Sequence, residues 1–308
     1  MAKASPDTPG GIAGSGGRAR KARRILLTIA VVAACVYAAA LLFLVSQETR
    51  LVFEHGRPLG ALRPAAPFAQ AELRADGAQF IWLMRQAHAE APWVLYLHGN
   101  SATVASRGNI LRYEGLRDLG LNVAAPEYRG FGGLAGRPSE AGVTEDARAG
   151  YRYLRETLNV PDSRIVIFGW SLGSAVAVNL ASEVPAAAVV LEGAPASLVA
   201  IGERRYPWMP IRLVMRNPFE SILKARRLAA PTLFLHSPED EIIPIEEGRK
   251  LFEAVPGPKQ FVEVRGGHIA PADVDAGVYF GAIRAFLTEH GAIGSGTAME
   301  EGKGKMEK

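Results

Sequence analysis

The chain has 308 residues, enough to bury a full α/β core as one large domain or two small ones. Its formal net charge of +4 is concentrated at the amino terminus, where residues 1–24 carry six basic side chains and one acidic side chain. The remaining 284 residues carry 29 basic and 30 acidic side chains, and such a nearly neutral body argues against a nucleic-acid-binding protein.

An uncharged apolar stretch follows this basic terminus. Residues 25–45 (ILLTIAVVAACVYAAALLFLV) contain no charged side chain, and as a helix they are long enough to cross roughly 30 Å of hydrocarbon. We therefore expect a transmembrane helix at residues 25–45, preceded by a disordered basic terminus at residues 1–24. The arginines ahead of the helix predict a cytoplasmic amino terminus and an extracytoplasmic chain after Val45, which would be periplasmic in a bacterium.

Two cleavage sites compete with an uncleaved anchor. Residues 38–40 (AAA) resemble a signal-peptidase site, and residues 32–35 (VAAC) resemble a lipoprotein box in which Cys35 would be lipidated. Both require the apolar stretch to end at the cut, whereas residues 41–45 continue it, so we expect an uncleaved anchor. Cys35 is the only cysteine in the sequence, which means that no disulfide can form within the chain.

Short apolar runs and turn signals predict the elements beyond the anchor. Residues 47–58 predict a juxtamembrane connection leading into a first edge strand, and Asp76-Gly77 predicts the turn of a hairpin whose second strand spans residues 79–85. The remaining elements are strands at 93–97, 122–126, 165–168, 187–192, 232–236 and 260–265, and helices at 103–119, 142–158, 172–181, 245–254 and 274–289.

Strands and helices alternate through most of this region. The alternation predicts an α/β domain at residues 46–290, with a mostly parallel sheet covered by helices on both faces and a ligand site at the carboxyl ends of its strands. Residues 196–228 break the alternation and predict a short cap insertion. Residues 291–308 are rich in Gly, Lys and Glu and predict a disordered tail.

The turn between the strand at 165–168 and the helix at 172–181 carries the strongest chemical signal. Residues 169–173 (GWSLG) match G-x-S-x-G, in which the two glycines let strand and helix pack closely. The turn exposes the serine hydroxyl at the top of the sheet, and the following helix directs N–H groups toward the charge that develops in acyl transfer. Ser171 is therefore the candidate nucleophile, although small residues at such a turn can also serve packing alone.

A serine nucleophile needs an imidazole base and a carboxylate that orients the imidazole. His268 follows two glycines in the last loop before the carboxyl-terminal helix and is the candidate base. Asp240 lies in the turn after the strand at 232–236 and is the candidate acid, although its glutamate neighbours also fit a solvated acidic loop. Glu192, at the end of the preceding strand, is the alternative acid.

The oxyanion formed in acyl transfer needs two convergent N–H donors. The sequence predicts them in the backbone amides of Leu172, directly after Ser171, and of Asn100, in the loop after the strand at 93–97. The preceding His-Gly pair can also be read as a tight turn alone. No histidine pair has the spacing of a metal site, and no glycine-rich dinucleotide or phosphate motif occurs, so we expect neither a metal nor a cofactor.

These segments together resemble the α/β-hydrolase superfamily and, within it, the BEM46-like and ABHD13-like membrane-anchored serine hydrolases. The matching pieces are LYLHGNS (95–101), EYRGFG (127–132), GRPSEAGVTEDA (136–147), GWSLGSAVA (169–177), LHSPEDEIIP (235–244) and GGH (266–268). The resemblance implies the α/β-hydrolase fold, a membrane anchor and the roles assigned above. The chain departs from the pattern at Ser237, at residues 133–134 and at Ile269, which puts the shape of the pocket in doubt rather than its chemistry.

The expected function is that of a membrane-anchored serine hydrolase that cleaves an ester or thioester through an acyl-enzyme on Ser171. The anchor and the aromatic residues of 206–211 (YPWMPI) suggest a lipid-like or acylated substrate near the bilayer, because Trp and Tyr favour the membrane interface. That segment is equally consistent with a cap packed on its own core. A serine peptidase and a catalytically silent hydrolase-like domain that binds a lipid or protein partner are the alternatives.

Overall fold

The computed structural model describes residues 15–73, 79–86 and 90–294. The chain divides into two compact units, with the boundary between Gln47 and Glu48. Three expectations lie outside the described residues: the Asp76-Gly77 turn, residues 1–14 of the amino terminus and residues 295–308 of the tail.

A single helix, α1 (Ser15–Phe53), contains the apolar segment expected at residues 25–45. Its portion Arg20–Phe53 is long and apolar enough to cross a membrane by length and composition, with a mean hydropathy of 2.7 in its most apolar 18-residue window. The helix begins within the terminus expected to be disordered, so that residues 15–24 are helical. Lys, Arg and Ala have high helix propensity, and extending an existing helix costs less than starting one.

Helix α1 also continues past Val45 to Phe53, and the chain after it is irregular until residue 68. Residues 47–53, expected as part of a connection, are therefore helical, and the edge strand that this connection was expected to lead into begins at Phe68, at one edge of the sheet. Three of the helical residues after the boundary, Glu48, Thr49 and Phe53, are buried. Tertiary packing of this last turn accounts for the helical conformation there, which local sequence periodicity does not reveal.

Within the described residues, eight strands form one sheet. Their bounds are β1 Phe68–Glu72, β2 Phe80–Met84, β3 Trp93–Leu97, β4 Asn122–Pro126, β5 Ile165–Trp170, β6 Ala188–Glu192, β7 Thr232–His236 and β8 Lys259–Glu263. They lie in the order β1-β2-β4-β3-β5-β6-β7-β8. Strand β2 pairs antiparallel with β1 and β4, and the other neighbouring pairs are parallel. The sheet is thus mostly parallel, as expected.

Helices cover both faces of this sheet. Their bounds are α2 Arg107–Asp118, α3 Glu140–Arg152, α4 Leu172–Ala181, α5 Leu198–Arg205, α6 Ile211–Val214, α7 Ser221–Ala225, α8 Ile245–Ala254, α9 Pro271–Val274 and α10 Ala276–Glu289. Alternation along β5 shows how the two layers form: Ile165 and Ile167 pack with α3, α4 and α8, whereas Val166 and Phe168 pack with α2 and α10. Because successive side chains of a strand point to opposite faces, one apolar run serves two cores.

Several element bounds differ from the expected ones. The helix expected at 142–158 ends as an α-helix at Arg152 and continues as a π turn at Tyr153–Thr157. The segment expected as a cap contains the short helices α5, α6 and α7 between β6 and β7. The helix expected at 274–289 is α10, which begins at Ala276, and the short helix α9 precedes it. The proline of α9 occupies its first turn, where a missing N–H costs nothing.

Candidate active site

Ser171 lies at the sharp turn between β5 and α4, in a left-handed backbone conformation with φ 56° and ψ −121°. A Cβ atom on Gly169 would lie 2.3 Å from the carbonyl oxygen of Gly173, and one on Gly173 would lie 2.0 Å from the carbonyl oxygen of Leu97. Only glycine fits at these two positions, so the motif allows α4 to pack directly against β3 and β5. The N–H of Ser171 donates to the carbonyl oxygen of Glu192 over 2.8 Å and fixes the turn.

The structure brings the three expected triad residues into one hydrogen-bonded chain. The Nε2 atom of His268 lies 2.7 Å from Ser171 Oγ, and its Nδ1 atom lies 2.7 Å from Asp240 Oδ2. Each of the three residues is only 7% exposed. An ionised carboxylate can only accept hydrogen bonds, so Nδ1–H donates to Asp240 and Nε2 is left to accept from the serine hydroxyl. This tautomer is the one that a general base requires.

The carboxylate of Asp240 is held by further donors. Its Oδ1 atom accepts from the N–H groups of Ile242, over 3.0 Å, and Ile243, over 2.7 Å. Burial raises the pKa of this carboxyl, but the hydrogen bond and charge of His268 together with the two amides outweigh burial and lower the pKa below its usual value. Asp240 is therefore a carboxylate at neutral pH.

A second histidine, which the sequence analysis did not single out, lies behind this carboxylate. His236 is buried, and its Nε2 atom lies 2.9 Å from the carbonyl oxygen of Ile243 and 3.5 Å from Asp240 Oδ2. Burial lowers the pKa of its imidazole despite these two acceptors. A neutral Nε2–H donor therefore supports the turn that carries Asp240. Its position at the end of β7, four residues before Asp240, was the available signal.

Glu192, the alternative acid, has other partners. Its carboxylate forms a two-atom pair with the Arg112 guanidinium and accepts from the Tyr279 hydroxyl over 2.5 Å. Arg112 also lies over the indole ring of Trp170, 4.3 Å from its centroid. Glu192 is therefore not the hydrogen-bond partner of His268, because Asp240 is the carboxylate that lies beside His268 Nδ1. Arg112 is buried within α2, and nothing in its local sequence distinguished it from a surface arginine.

The predicted oxyanion donors belong to two backbone segments that pack tightly together. A Cβ atom on Gly99 would lie 3.2 Å from the Cβ of Ser171, so the loop that carries Asn100 runs against the turn of the serine. In the part of the chain that the structure describes, no backbone carbonyl accepts a hydrogen bond from the N–H of Asn100 or of Leu172. Leu172 is the first residue of α4, where amide N–H groups have no partner within the helix.

A buried glutamate, which the sequence analysis also did not single out, holds the loop that carries Asn100 through hydrogen bonds. Glu127 Oε1 lies 2.8 Å from His98 Nε2, and its Oε2 accepts from the N–H of Val104 over 3.0 Å. His98 and Glu127 are fully buried. One carboxylate at the end of β4 thus holds both ends of the loop at residues 98–104. Its place in the segment EYRGFG was the only signal.

No group of three or more His, Cys, Asp or Glu side chains in the described ranges is arranged to hold a metal ion. The candidate site itself offers a serine hydroxyl, an imidazole, a carboxylate and backbone amides. That set fits attack of a hydroxyl on a carbonyl carbon, with proton transfer through the imidazole.

Known proteins resemble this chain over most of its length. The family model described as the Alpha/beta hydrolase family matches residues 94–260. The uncharacterized protein Rv2307c of Mycobacterium tuberculosis is 35% identical over 277 residues, which cover 87% of this chain and 97% of that protein. The lysophosphatidylserine lipase ABHD12 of Danio rerio is 28% identical over 218 residues, which cover 65% of this chain but only 56% of the lipase.

Solved structures agree on the architecture. The esterase Pf2001 of Pyrococcus furiosus superposes with a TM-score of 0.62 at 20% identity, covering 76% of this chain and 98% of the esterase. Est1E of Butyrivibrio proteoclasticus superposes with a TM-score of 0.60 at 16% identity. At such identities the likeness concerns the fold. The sequence matches carry the family assignment, and the chain belongs to the alpha/beta hydrolase family as an ABHD-like member.

Proposed function

We propose that this protein is a membrane-anchored serine hydrolase that cleaves a carboxylic ester or thioester through an acyl-enzyme on Ser171. The observation that carries the proposal is the chain of hydrogen bonds from Asp240 through His268 to Ser171, with 2.7 Å at each link. The strained backbone of Ser171 and the amides of Asn100 and Leu172, which donate to no backbone carbonyl among the described residues, support the same chemistry, because acyl transfer needs a positioned nucleophile and an oxyanion site.

Acylation begins when His268 Nε2 takes the hydroxyl proton as Ser171 Oγ attacks the carbonyl carbon of the substrate. The imidazolium formed is stabilised by the ionised carboxylate of Asp240. The carbonyl oxygen becomes negative and accepts hydrogen bonds from the N–H groups of Asn100 and Leu172. When the intermediate collapses, the bond to the leaving oxygen or sulfur breaks, and the leaving group takes the proton from Nε2.

Deacylation repeats these steps with water as the nucleophile. His268 takes a proton from the water while its oxygen attacks the acyl carbon, and the same two amides hold the oxyanion. Collapse of this second intermediate breaks the ester bond to Ser171 Oγ, which regains its proton from Nε2. The products are a carboxylic acid and the free enzyme. No cofactor takes part in this scheme.

A lipid-like or acylated ester is the substrate class that we propose. The helix Arg20–Phe53 is apolar enough to anchor the chain in a membrane. The cap also exposes Trp208 and Leu213, which are suited to contact with amphiphiles. The similarity to a lysophosphatidylserine lipase supports this class, although the chain spans only about half the length of that lipase.

The proposed topology has a cytoplasmic amino terminus, an uncleaved anchor and an extracytoplasmic hydrolase unit. Its support is the cluster of arginines and lysines before the apolar segment. Alkaline phosphatase fused after Glu289 should be active, and a fluorescent protein that folds only in the cytoplasm should be dark at the same position. The reverse pattern would overturn the orientation.

Labelling with a fluorophosphonate probe tests the activated serine in the purified full-length protein. Wild type should be labelled, and Ser171→Ala and His268→Ala should not. Ser182→Ala is the matched control, because Ser182 lies directly after α4 and its hydroxyl donates to the carbonyl oxygen of Asn179, away from the triad. Absence of labelling in folded wild type would contradict the proposal and favour a silent binding domain.

If wild type is labelled, p-nitrophenyl esters of graded chain length test the substrate class. Hydrolysis should rise with acyl length. Peptide amides tested under the same conditions distinguish the peptidase alternative, which a preference for amides over esters would support.

A further inference from the structure

The carboxyl-terminal end of α1 and the residues after it belong to the compact unit that contains the sheet, and not to the unit that contains the apolar segment 25–45. The boundary between the two compact units falls just before Glu48. Glu48 is 8% exposed and Phe53 is fully buried, whereas most side chains of residues 20–45 are exposed. We call residues 48–56 the juxtamembrane segment.

The first contact of the juxtamembrane segment is with the cap. Glu48 Oε1 accepts from the backbone N–H groups of Arg216, over 2.7 Å, and Asn217, over 2.8 Å, and from the side-chain amide of Asn217 over 3.1 Å. Phe53 packs edge-on against Phe219, with ring centroids 6.1 Å apart. Glu48 Oε1 and the Phe53 ring thus hold the connection between α6 and α7.

The second contact is with the loops at the carboxyl ends of β3 and β4. The hydroxyl of Ser101 donates to Glu54 Oε2, and the N–H of Gly56 donates to the carbonyl oxygen of Gly130 over 2.9 Å. Ser101 has a φ of 55°, which residues other than glycine rarely adopt. The side chain of Glu54 therefore holds a strained residue directly after Asn100, one of the two proposed oxyanion donors.

We propose that the juxtamembrane segment positions the active site, with Glu54 holding the oxyanion loop through Ser101 and Glu48 holding the cap. This inference rests on the proposed function. Asn100 and Ser101 share a peptide group, so releasing Ser101 changes the conformation next to the oxyanion donor. Oxyanion hydrogen bonds act mainly in the transition state. The cap begins shortly after β6, at the end of the sheet where the N–H of Ser171 donates to Glu192, and a substrate bound there would lie next to the cap. Loss of Glu54 should therefore lower kcat, and loss of Glu48 should raise KM.

A double-mutant cycle tests the contact between Glu54 and Ser101, using hydrolysis of p-nitrophenyl butyrate by the full chain. Glu54→Ala and Ser101→Ala should each lower kcat about five-fold, the effect of one net hydrogen bond, with KM changed less than about two-fold. The double variant should be no slower than either single one, because the same hydrogen bond is lost once. Glu54→Gln keeps an acceptor and should restore kcat.

The matched control is Glu183→Gln, which removes the charge of an exposed carboxylate paired with Arg148 and should leave kcat and KM unchanged. Additive effects of the two alanine substitutions, or unchanged kcat in both, would overturn the role of Glu54. A lowered melting temperature with wild-type kcat would also overturn it, since that result describes a structural contact alone.

Glu48→Ala tests the second contact. It should raise KM about five-fold, because three N–H donors lose their shared acceptor, and Glu48→Gln should restore KM through its carbonyl oxygen. Hydrogen exchange gives a readout that does not depend on activity: the amides of residues 215–217 and 219 should exchange faster in Glu48→Ala, and the amides of residues 99–104 should exchange faster in Glu54→Ala. Unchanged exchange in both variants would overturn the inference. Inactive wild type with altered exchange would instead overturn the proposed function and leave the positioning contacts in place.

Discussion

The indole N–H of Trp170 donates to the carbonyl oxygen of His268 over 3.2 Å, so the residue before Ser171 also holds the loop of the proposed base. Arg112 contacts both of these segments. Its guanidinium carbon lies 4.3 Å from the centroid of the Trp170 ring, and its guanidinium donates to the carbonyl oxygen of Ile269 over 3.4 Å. The serine and histidine lie far apart in sequence, and these contacts supplement the single hydrogen bond that joins their side chains.

Trp170→Phe should therefore slow the reaction without unfolding the protein. The phenyl ring keeps the contact with Arg112 but removes the donor to His268, and we expect kcat to fall about five-fold. Steady-state hydrolysis of p-nitrophenyl butyrate measures the effect. Trp82→Phe is the control, because its indole N–H bonds to Gln70 in the antiparallel edge of the sheet and its loss should not change kcat. Equal losses in both variants would contradict a specific role for Trp170.

Asp240→Asn and Glu192→Gln should separate the two acids that the sequence offered. We expect Asp240→Asn to lower kcat by a factor of about 10,000, because an amide favours the wrong histidine tautomer. Glu192→Gln should instead destabilise the fold by about 3–5 kcal/mol, because it leaves the buried guanidinium of Arg112 without a counter-charge. Enzyme kinetics together with urea unfolding distinguish the two, and a large kcat loss in folded Glu192→Gln would reopen the assignment.

The lowered pKa of Asp240 predicts how stability depends on pH. A carboxyl whose pKa is lower in the folded than in the unfolded state contributes stability above the unfolded pKa of about 3.9, and this contribution is lost as the pH falls through the folded pKa. The difference in unfolding free energy between wild type and Asp240→Asn should shrink as the pH falls below about pH 4. A difference that grows on acidification would contradict the direction of the pKa shift.

Gly173→Ala should prevent close packing at the turn. Its Cβ would lie 2.0 Å from a backbone oxygen of β3, which cannot move aside without disturbing the sheet, and we expect destabilisation of at least about 3 kcal/mol. Gly281→Ala is the matched control within α10, where a Cβ meets no atom within 4 Å. That change should stabilise the protein by up to about 1 kcal/mol, because alanine is the better helix former. Thermal unfolding of both variants checks the contrast.

Local sequence determined the elements that carry the site. The strands at 93–97, 122–126 and 232–236 and the helices at 172–181 and 245–254 have the bounds expected from the sequence. Buried parallel strands are continuous apolar runs between turn residues, and this pattern can be recognised without knowledge of the fold. The G-x-S-x-G turn is also local, because its glycines are required by the conformation of the same five residues.

Contacts between distant segments were decided only by the tertiary structure. His268 lies 97 residues from Ser171 and 28 from Asp240, and composition alone did not distinguish Asp240 from Glu192. The pairing of Arg112 with Glu192 and of Glu127 with His98 joins different strands and helices, so no sequence periodicity encodes it. The same holds for residues 48–53, whose local pattern suits a linker as well as a helix. Packing against residues 216–219 favours the helix over the linker. Phe53 is buried, and Glu48 accepts its hydrogen bonds, only in the folded hydrolase unit.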